Sequence, residues 1–171
     1  FKDSIKEIVL NEGITSIDDC FLYSLVFDGE YVYMYPIPYV TSIIIPASVT
    51  EIGYDALCGL TSLEEIHVAS GNEQFVSING VLYSSDFTEL VSYPTNHSAE
   101  NYSVIEGVTS VANIEANNLK TIVLPESLLN VGNIKGQNLE KITCYSTRAL
   151  FRNSAYTLES QAVLEGYDNS S

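Results

Sequence analysis

The sequence predicts a mainly β solenoid, in which short parallel strands stack rung upon rung with turns between them and little helix. Three observations carry this. Residues 108–127 align without a gap on residues 128–147, with identities at Val111/Val131, Asn113/Asn133, Ile114/Ile134, Asn118/Asn138, Leu119/Leu139 and Ile122/Ile142. A phrase of one apolar residue, two variable, one apolar, one variable and one apolar returns upstream of that pair. A second extended phrase follows the first in most copies.

Taken in chain order, the first phrase reads Ile5-x-x-Ile8-x-Leu10, Val40-x-x-Ile43-x-Ile45, Leu63-x-x-Ile66-x-Val68, Leu119-x-x-Ile122-x-Leu124 and Leu139-x-x-Ile142-x-Cys144. A degenerate copy stands at Tyr102-x-Val104. Central positions 8, 43, 66, 102, 122 and 142 are therefore spaced by 35, 23, 36, 20 and 20 residues. The two long gaps are ordinary repeats carrying inserts, near 20–39 and 75–93. The second phrase is Gly13–Ile17, Ser48–Gly53, Gly107–Val111 and Ser127–Gly132. Pro46 and Pro125 stand between the phrases, where a residue without an N–H ends a strand. One unit of about twenty residues cannot bury both of its apolar rows, and stacked units can. Alternation within each strand sends one row inward and one outward.

Each insert has its own pattern. Phe21, Tyr23, Phe27, Tyr31, Tyr33, Tyr35 and Tyr39 crowd the first, with Pro36 and Pro38. Alternation puts Tyr31, Tyr33 and Tyr35 on one side of a strand. This row is either an exposed aromatic site or the insert's own small core. In the second insert, Ser77–Tyr83 and Leu90–Pro94 read as two apolar strands about a polar Ser84–Thr88 turn.

The chain has 171 residues, about one domain, and 46% of them are hydrophobic, ample for a core. Seven Lys and Arg stand against 22 Asp and Glu, for a net charge of −15. That leaves no basic footprint for nucleic acid, and anionic membrane surfaces repel such a chain. No apolar run approaches the length of a membrane span. The acidity serves solubility, with a basic partner or bound Ca²⁺ as alternatives. Phe1 where a Met would start, with no charged-then-apolar leader, reads as a processed or cut end. Cys20, Cys58 and Cys144 are too few and too scattered for a disulfide framework.

The phrases Ser42–Gly53 (SIIIPASVTEIG) and Thr121–Leu128 (TIVLPESL) resemble the BspA-like leucine-rich repeats, and so does Ser77–Tyr83 with Leu90–Pro94. The resemblance covers roughly residues 4–147. Ala56-Leu57 replaces that family's usual Ala-Phe pair, and the last two repeats lack the pair. Residues 148–171 look like a closing strand and short helix that cap the array. The resemblance implies one leucine-rich-repeat domain over 1–171. It also implies a bacterial cell-surface or secreted location, with a host-surface or matrix protein as partner and no enzymatic activity.

Outward positions on the stacked strands are Glu7/Val9, Ser42/Ile44, Glu65/His67, Asn101/Ser103, Thr121/Val123 and Lys141/Thr143. They form one candidate protein-binding face, and Tyr31, Tyr33 and Tyr35 form the other. The tyrosines would also suit a glycan. No catalytic constellation is written in the sequence: His67 and His97 sit in no nucleophile or metal-ligand motif, and both read as surface histidines. No D-x-D-x-D loop is present for a cation, so neither metal nor cofactor is expected.

Overall fold

A computed structural model describes residues 5–19, 22, 24–27, 29–151 and 163–165. Short parallel strands stack in two long rows, and no helix occurs among the described residues. The front row is Glu7–Val9, Ser42–Ile45 and Glu65–Val68, then, after a break, Asn101–Ser103, Thr121–Leu124, Lys141–Cys144 and Val163–Glu165. Within it Ile8 pairs with Ile43 and Ile43 with Ile66, while Tyr102, Ile122, Ile142 and Leu164 form a second line. The repeated phrase and the register are thus the same thing. Ile43, Ile66 and Ile122 are wholly buried, each contributing ~1.5–3 kcal/mol by leaving water.

The back row is Ser16–Ile17 with Glu51–Ile52, and separately Glu89–Ser92, Ser110–Val111, Asn130–Val131 and Leu150–Phe151. Repetition continues beyond residue 147: Leu150–Phe151 extends the back row and Val163–Glu165 adds a front rung. The remainder of the expected cap lies outside the described residues.

Neighbouring coils are clasped where the strand turns. The Ser48 hydroxyl accepts from the Gly13 N–H (2.9 Å) and donates to the Ile14 carbonyl (2.7 Å). The Glu12 carboxylate accepts from the N–H groups of Ala47 (2.9 Å) and Ser48 (3.1 Å). The same clasp recurs between Glu106-Gly107-Val108 and Ser127, with Gly107 N–H to Ser127 at 3.0 Å and Ser127 to Val108 O at 2.7 Å. Gly13 and Gly107 have φ of +100° and +101°, which explains why glycine holds that place in both copies.

The second insert differs from the sequence expectation. Ser77–Tyr83 is not one strand. It folds back at Asn79-Gly80, where both residues have positive φ (51° and 81°), the signature of a tight hairpin turn. The result is a three-stranded antiparallel meander of Phe75–Ile78, Val81–Ser84 and Glu89–Ser92, whose last strand joins the back row in parallel. Asp86 shapes its second turn, accepting at Oδ1 from the Ser84 hydroxyl (2.7 Å), the Thr88 N–H (3.0 Å) and the Thr88 hydroxyl (2.8 Å). The middle strand is buried on both sides. Leu82 joins an N-terminal core with Ile17, Val40, Ile43, Leu60 and Ile66, while Val81 and Tyr83 join a C-terminal core with Val111, Leu119, Ile122 and Leu128. The insert is therefore a layer between two half-solenoids.

The first insert is a hairpin, Ser24–Phe27 antiparallel to Val32–Tyr35. Buried Leu22 and Val40 flank its base. The Ile37 N–H donates to Gly59 O (2.7 Å) and the Ser62 hydroxyl to Pro38 O (2.6 Å), tying its exit strand to the second coil.

Candidate functional site

The outward ladder lies where alternation puts it. Glu7, Ser42 and Glu65 align across three rungs, and Val9, Ile44 and His67 beside them. Asn101, Thr121 and Lys141 align in the second panel, next to Ser103, Val123 and Thr143. Many polar members already serve one another. Thr121 donates to Asn101 Oδ1 (2.7 Å), Ser42 lies 3.5 Å from the Glu7 carboxylate, and His67 Nε2 lies 3.2 Å from Glu65. Apolar members are scattered: Val9 is exposed and Ile44 and Val123 are half-buried.

The face is also interrupted. Between the Glu65 and Asn101 rungs the Asn79-Gly80 turn fills the gap, with the Ile66 N–H donating to Gly80 O (2.9 Å). A Cβ on Gly80 would stand 3.0 Å from the Glu65 Cβ and 3.7 Å from the His97 ring. His97 pins this turn: its Nε2 lies 2.9 Å from the Asn79 carbonyl, and Nδ1 faces the Ala99 N–H at 3.2 Å. Because Nδ1 must accept there, the proton sits on Nε2 and is donated to Asn79. His97 is half-buried and structural rather than a free surface histidine.

Around it the second insert and the fourth front rung share an aromatic cluster that the sequence did not disclose. The Tyr83 and Tyr102 hydroxyls are 2.5 Å apart, the Tyr93 ring meets Tyr102 edge-on at 5.0 Å, and Tyr93 Oη approaches His97 Nδ1 at 3.3 Å. Burial pushes all three hydroxyls above the usual tyrosine value, Tyr93 to about 12. For Tyr102, its hydrogen bond to Tyr83 adds to the rise. The one visible signal was the degenerate rung: Tyr102 stands where other rungs carry Ile.

The first insert behaves otherwise. On one face of the hairpin Leu25 and Phe27 are 66% and 68% exposed, with Met34 exposed beside them. On the other face Val26 and Tyr35 are exposed, and so is Tyr31, just ahead of its strand. Of the aromatic row, Tyr31 and Tyr35 thus face solvent rather than a core. The side chain of Tyr33 lies outside the described residues, as do Phe21 and Tyr23.

A cavity of about 290 Å³ opens at the back of the joint, lined in part by Tyr54, Asp55, Leu57, Asn113, Glu115 and Lys135. Its polar groups are turned on each other. Tyr54 donates to Asn113 Oδ1 (3.0 Å), Asn113 Nδ2 donates to Asp55 (3.1 Å), and Lys135 pairs with Glu115 (3.0 Å). Asn113 Oδ1 also accepts from the Asn133 N–H one period later (2.8 Å). Asn133 Oδ1 is buried without a partner among the described residues. Among the described residues no three His, Cys, Asp or Glu side chains converge as a metal site. Cys144 is buried on the inward row, and burial raises its thiol pKa.

No family model matches the sequence, and no curated protein does. Solved structures sharing the fold include a leucine-rich-repeat protein from Eubacterium ventriosum, with a TM-score of 0.56, 22% identity, and coverage of 82% of this chain and 42% of that one. The pneumococcal vaccine antigen PcpA matches with a TM-score of 0.56 at 23% identity, over 95% of this chain and 48% of its own. A leucine-rich cell-surface protein from Faecalibacterium prausnitzii matches with a TM-score of 0.59 at 23% identity, over 86% and 43%. The chain spans less than half the length of each.

Proposed function

We propose that this chain, which has the fold of the leucine-rich-repeat solenoids of bacterial surface proteins, is a non-catalytic protein-binding module. In this reading it belongs to a cell-surface or secreted protein and docks through the Ser24–Tyr35 hairpin. One observation supports this most: both faces of the hairpin carry exposed apolar side chains, Leu25, Phe27 and Met34 on one and Val26, Tyr31 and Tyr35 on the other. A two-stranded hairpin is marginal on its own in water, so covering a face stabilises it and the complex together. Exposed apolar patches of this kind mark docking sites, and aromatic residues dominate the energetics of such contacts.

The outward ladder is the weaker surface. Many of its polar groups pair with one another, across rungs at Thr121–Asn101 and within one at Glu65–His67, its apolar members are separated, and the Asn79-Gly80 turn splits it. A glycan would use Tyr31 and Tyr35 as stacking platforms, and the test separates the two ligand classes. The purified chain is applied to a panel of matrix and host surface proteins and, in parallel, to a glycan array. Binding to one or a few proteins, lost in Leu25→Ser/Phe27→Ser, is the expected result. A silent protein panel with array binding lost in Tyr31→Ala would replace this reading by the glycan one.

A further inference from the structure

We infer that the hairpin's partner is an extended cationic protein segment that adds as a third strand beside Ser24–Phe27, with Lys or Arg alternating with apolar residues. The inference rests on the docking reading above and names the chemistry that the hairpin selects. Three features of the molecule carry it.

The first is the edge. Among the described residues each hairpin strand pairs only with the other, and the exit strand is tied to the second coil through Ile37 and Pro38, which leaves Ser24–Phe27 as the edge away from that tie. An unpaired strand edge offers a row of backbone donors and acceptors to another chain, and strand addition is the standard way to satisfy them. The second is the pair of faces. Alternate residues of an added strand fall beside Leu25 and Phe27 on one face, and beside Val26 on the other, where Tyr31 and Tyr35 lie one strand further on. Apolar residues fit the first. Long lysine or arginine side chains fit the second, because they reach over Val26 towards the tyrosine faces, which attract cations. The chain already makes such a contact at the hairpin's exit, where Lys6 Nζ lies 6.0 Å from the Tyr39 ring centre.

The third is charge. Eleven of the 22 acidic residues precede Ile66, against only Lys2 and Lys6 of the seven basic ones. Exposed Asp18 and Asp19 lie just before the insert and exposed Glu30 within the hairpin's turn. This half of the molecule therefore steers cations towards the hairpin and repels anionic strands of the same apolar pattern.

The test uses three short fluorescein-labelled peptides, alternating valine with lysine, with serine or with glutamate, titrated against the whole chain by fluorescence anisotropy. The valine–lysine peptide is expected to bind at least about tenfold tighter than the valine–serine one, and to weaken several-fold from low to physiological salt. Leu25→Ser/Phe27→Ser should abolish its binding, while Glu126→Gln, on a distant coil, should leave it unchanged. Deuterium exchange should slow at Leu25–Phe27 on binding. Equal binding of the lysine and serine peptides overturns the cationic specificity and leaves the docking reading standing. Absence of binding by all three, or lysine binding that ignores Leu25→Ser/Phe27→Ser, overturns the inference. So does a concentration-dependent dimer in sedimentation velocity that buries the hairpin, or its insertion into phosphatidylcholine vesicles.

Discussion

The hydroxyls of Tyr83 and Tyr102 meet at 2.5 Å across the seam where the inserted meander joins the fourth front rung. Tyr83 is wholly buried, and with Tyr93 and His97 the pair forms the polar centre of an otherwise apolar joint. Replacing Tyr83 by Phe leaves the Tyr102 hydroxyl without this partner and should cost ~1–2 kcal/mol in urea unfolding. Tyr83→Phe/Tyr102→Phe should cost clearly less than the two single changes together, because both orphaned groups are removed at once.

The same cluster sets an alkaline limit. A tyrosine whose folded pKa is raised binds its proton more tightly in the native state, so its contribution is complete below the unfolded value near ~10 and declines above it. With Tyr93 at about 12 and burial raising Tyr83 and Tyr102 as well, stability should fall progressively above pH ~10. Absorbance near 295 nm followed with far-UV circular dichroism checks this. Tyr83, Tyr93 and Tyr102 should ionise only as the fold is lost. Ionisation of Tyr83, Tyr93 and Tyr102 near pH ~10 on an intact fold would contradict it.

Ser48 and Ser127 each close two hydrogen bonds to the preceding coil. Ser48→Ala and Ser127→Ala should each destabilise by ~1–3 kcal/mol, since the Gly13 or Gly107 N–H and a carbonyl lose their partner. Amide exchange should rise first at Gly13 or Gly107, because coils of a solenoid touch only their neighbours. An unchanged melting curve and unchanged exchange would show that the clasps contribute nothing.

Gly80→Ala tests the turn that divides the front row. An alanine would hold φ near +81° and place its Cβ 3.0 Å from that of Glu65. A loss of ~1–3 kcal/mol is expected by thermal unfolding, larger than for alanine at Gly29, which shares the positive φ but has open space around it.

Much of this architecture was legible because burial repeats with the strand. Central Ile8, Ile43, Ile66, Ile122 and Ile142 fell into line, and all twelve outward residues lie on the outer face as alternation required. The Asn79-Gly80 turn was written in the sequence but concealed, because Ile78 and Val81 on either side let an apolar strand be read straight through. Tyr83, Tyr93 and His97 gather around Tyr102 only when coils stack, and no local period encodes that. Nor could the sequence decide whether the tyrosine row was a core or a surface. Tyr31, Tyr33 and Tyr35 alternate in either case, and the answer depends on where the hairpin is rooted, at Leu22, Ile37 and Val40.

In the proposed function the exposed hairpin, rather than the strand face, engages a protein partner. The most direct test of this is a comparison of two variants against the partners retained by the wild-type chain. One variant is Leu25→Ser/Phe27→Ser/Tyr31→Ser on the hairpin, the other Val9→Ser/Ile44→Ser/Val123→Ser on the front row, with folding of both checked by circular dichroism. The hairpin variant should lose at least about tenfold in affinity, ~1.4 kcal/mol, while the front-row variant binds like wild type. Binding that survives the hairpin changes and disappears with the front-row changes would contradict the account.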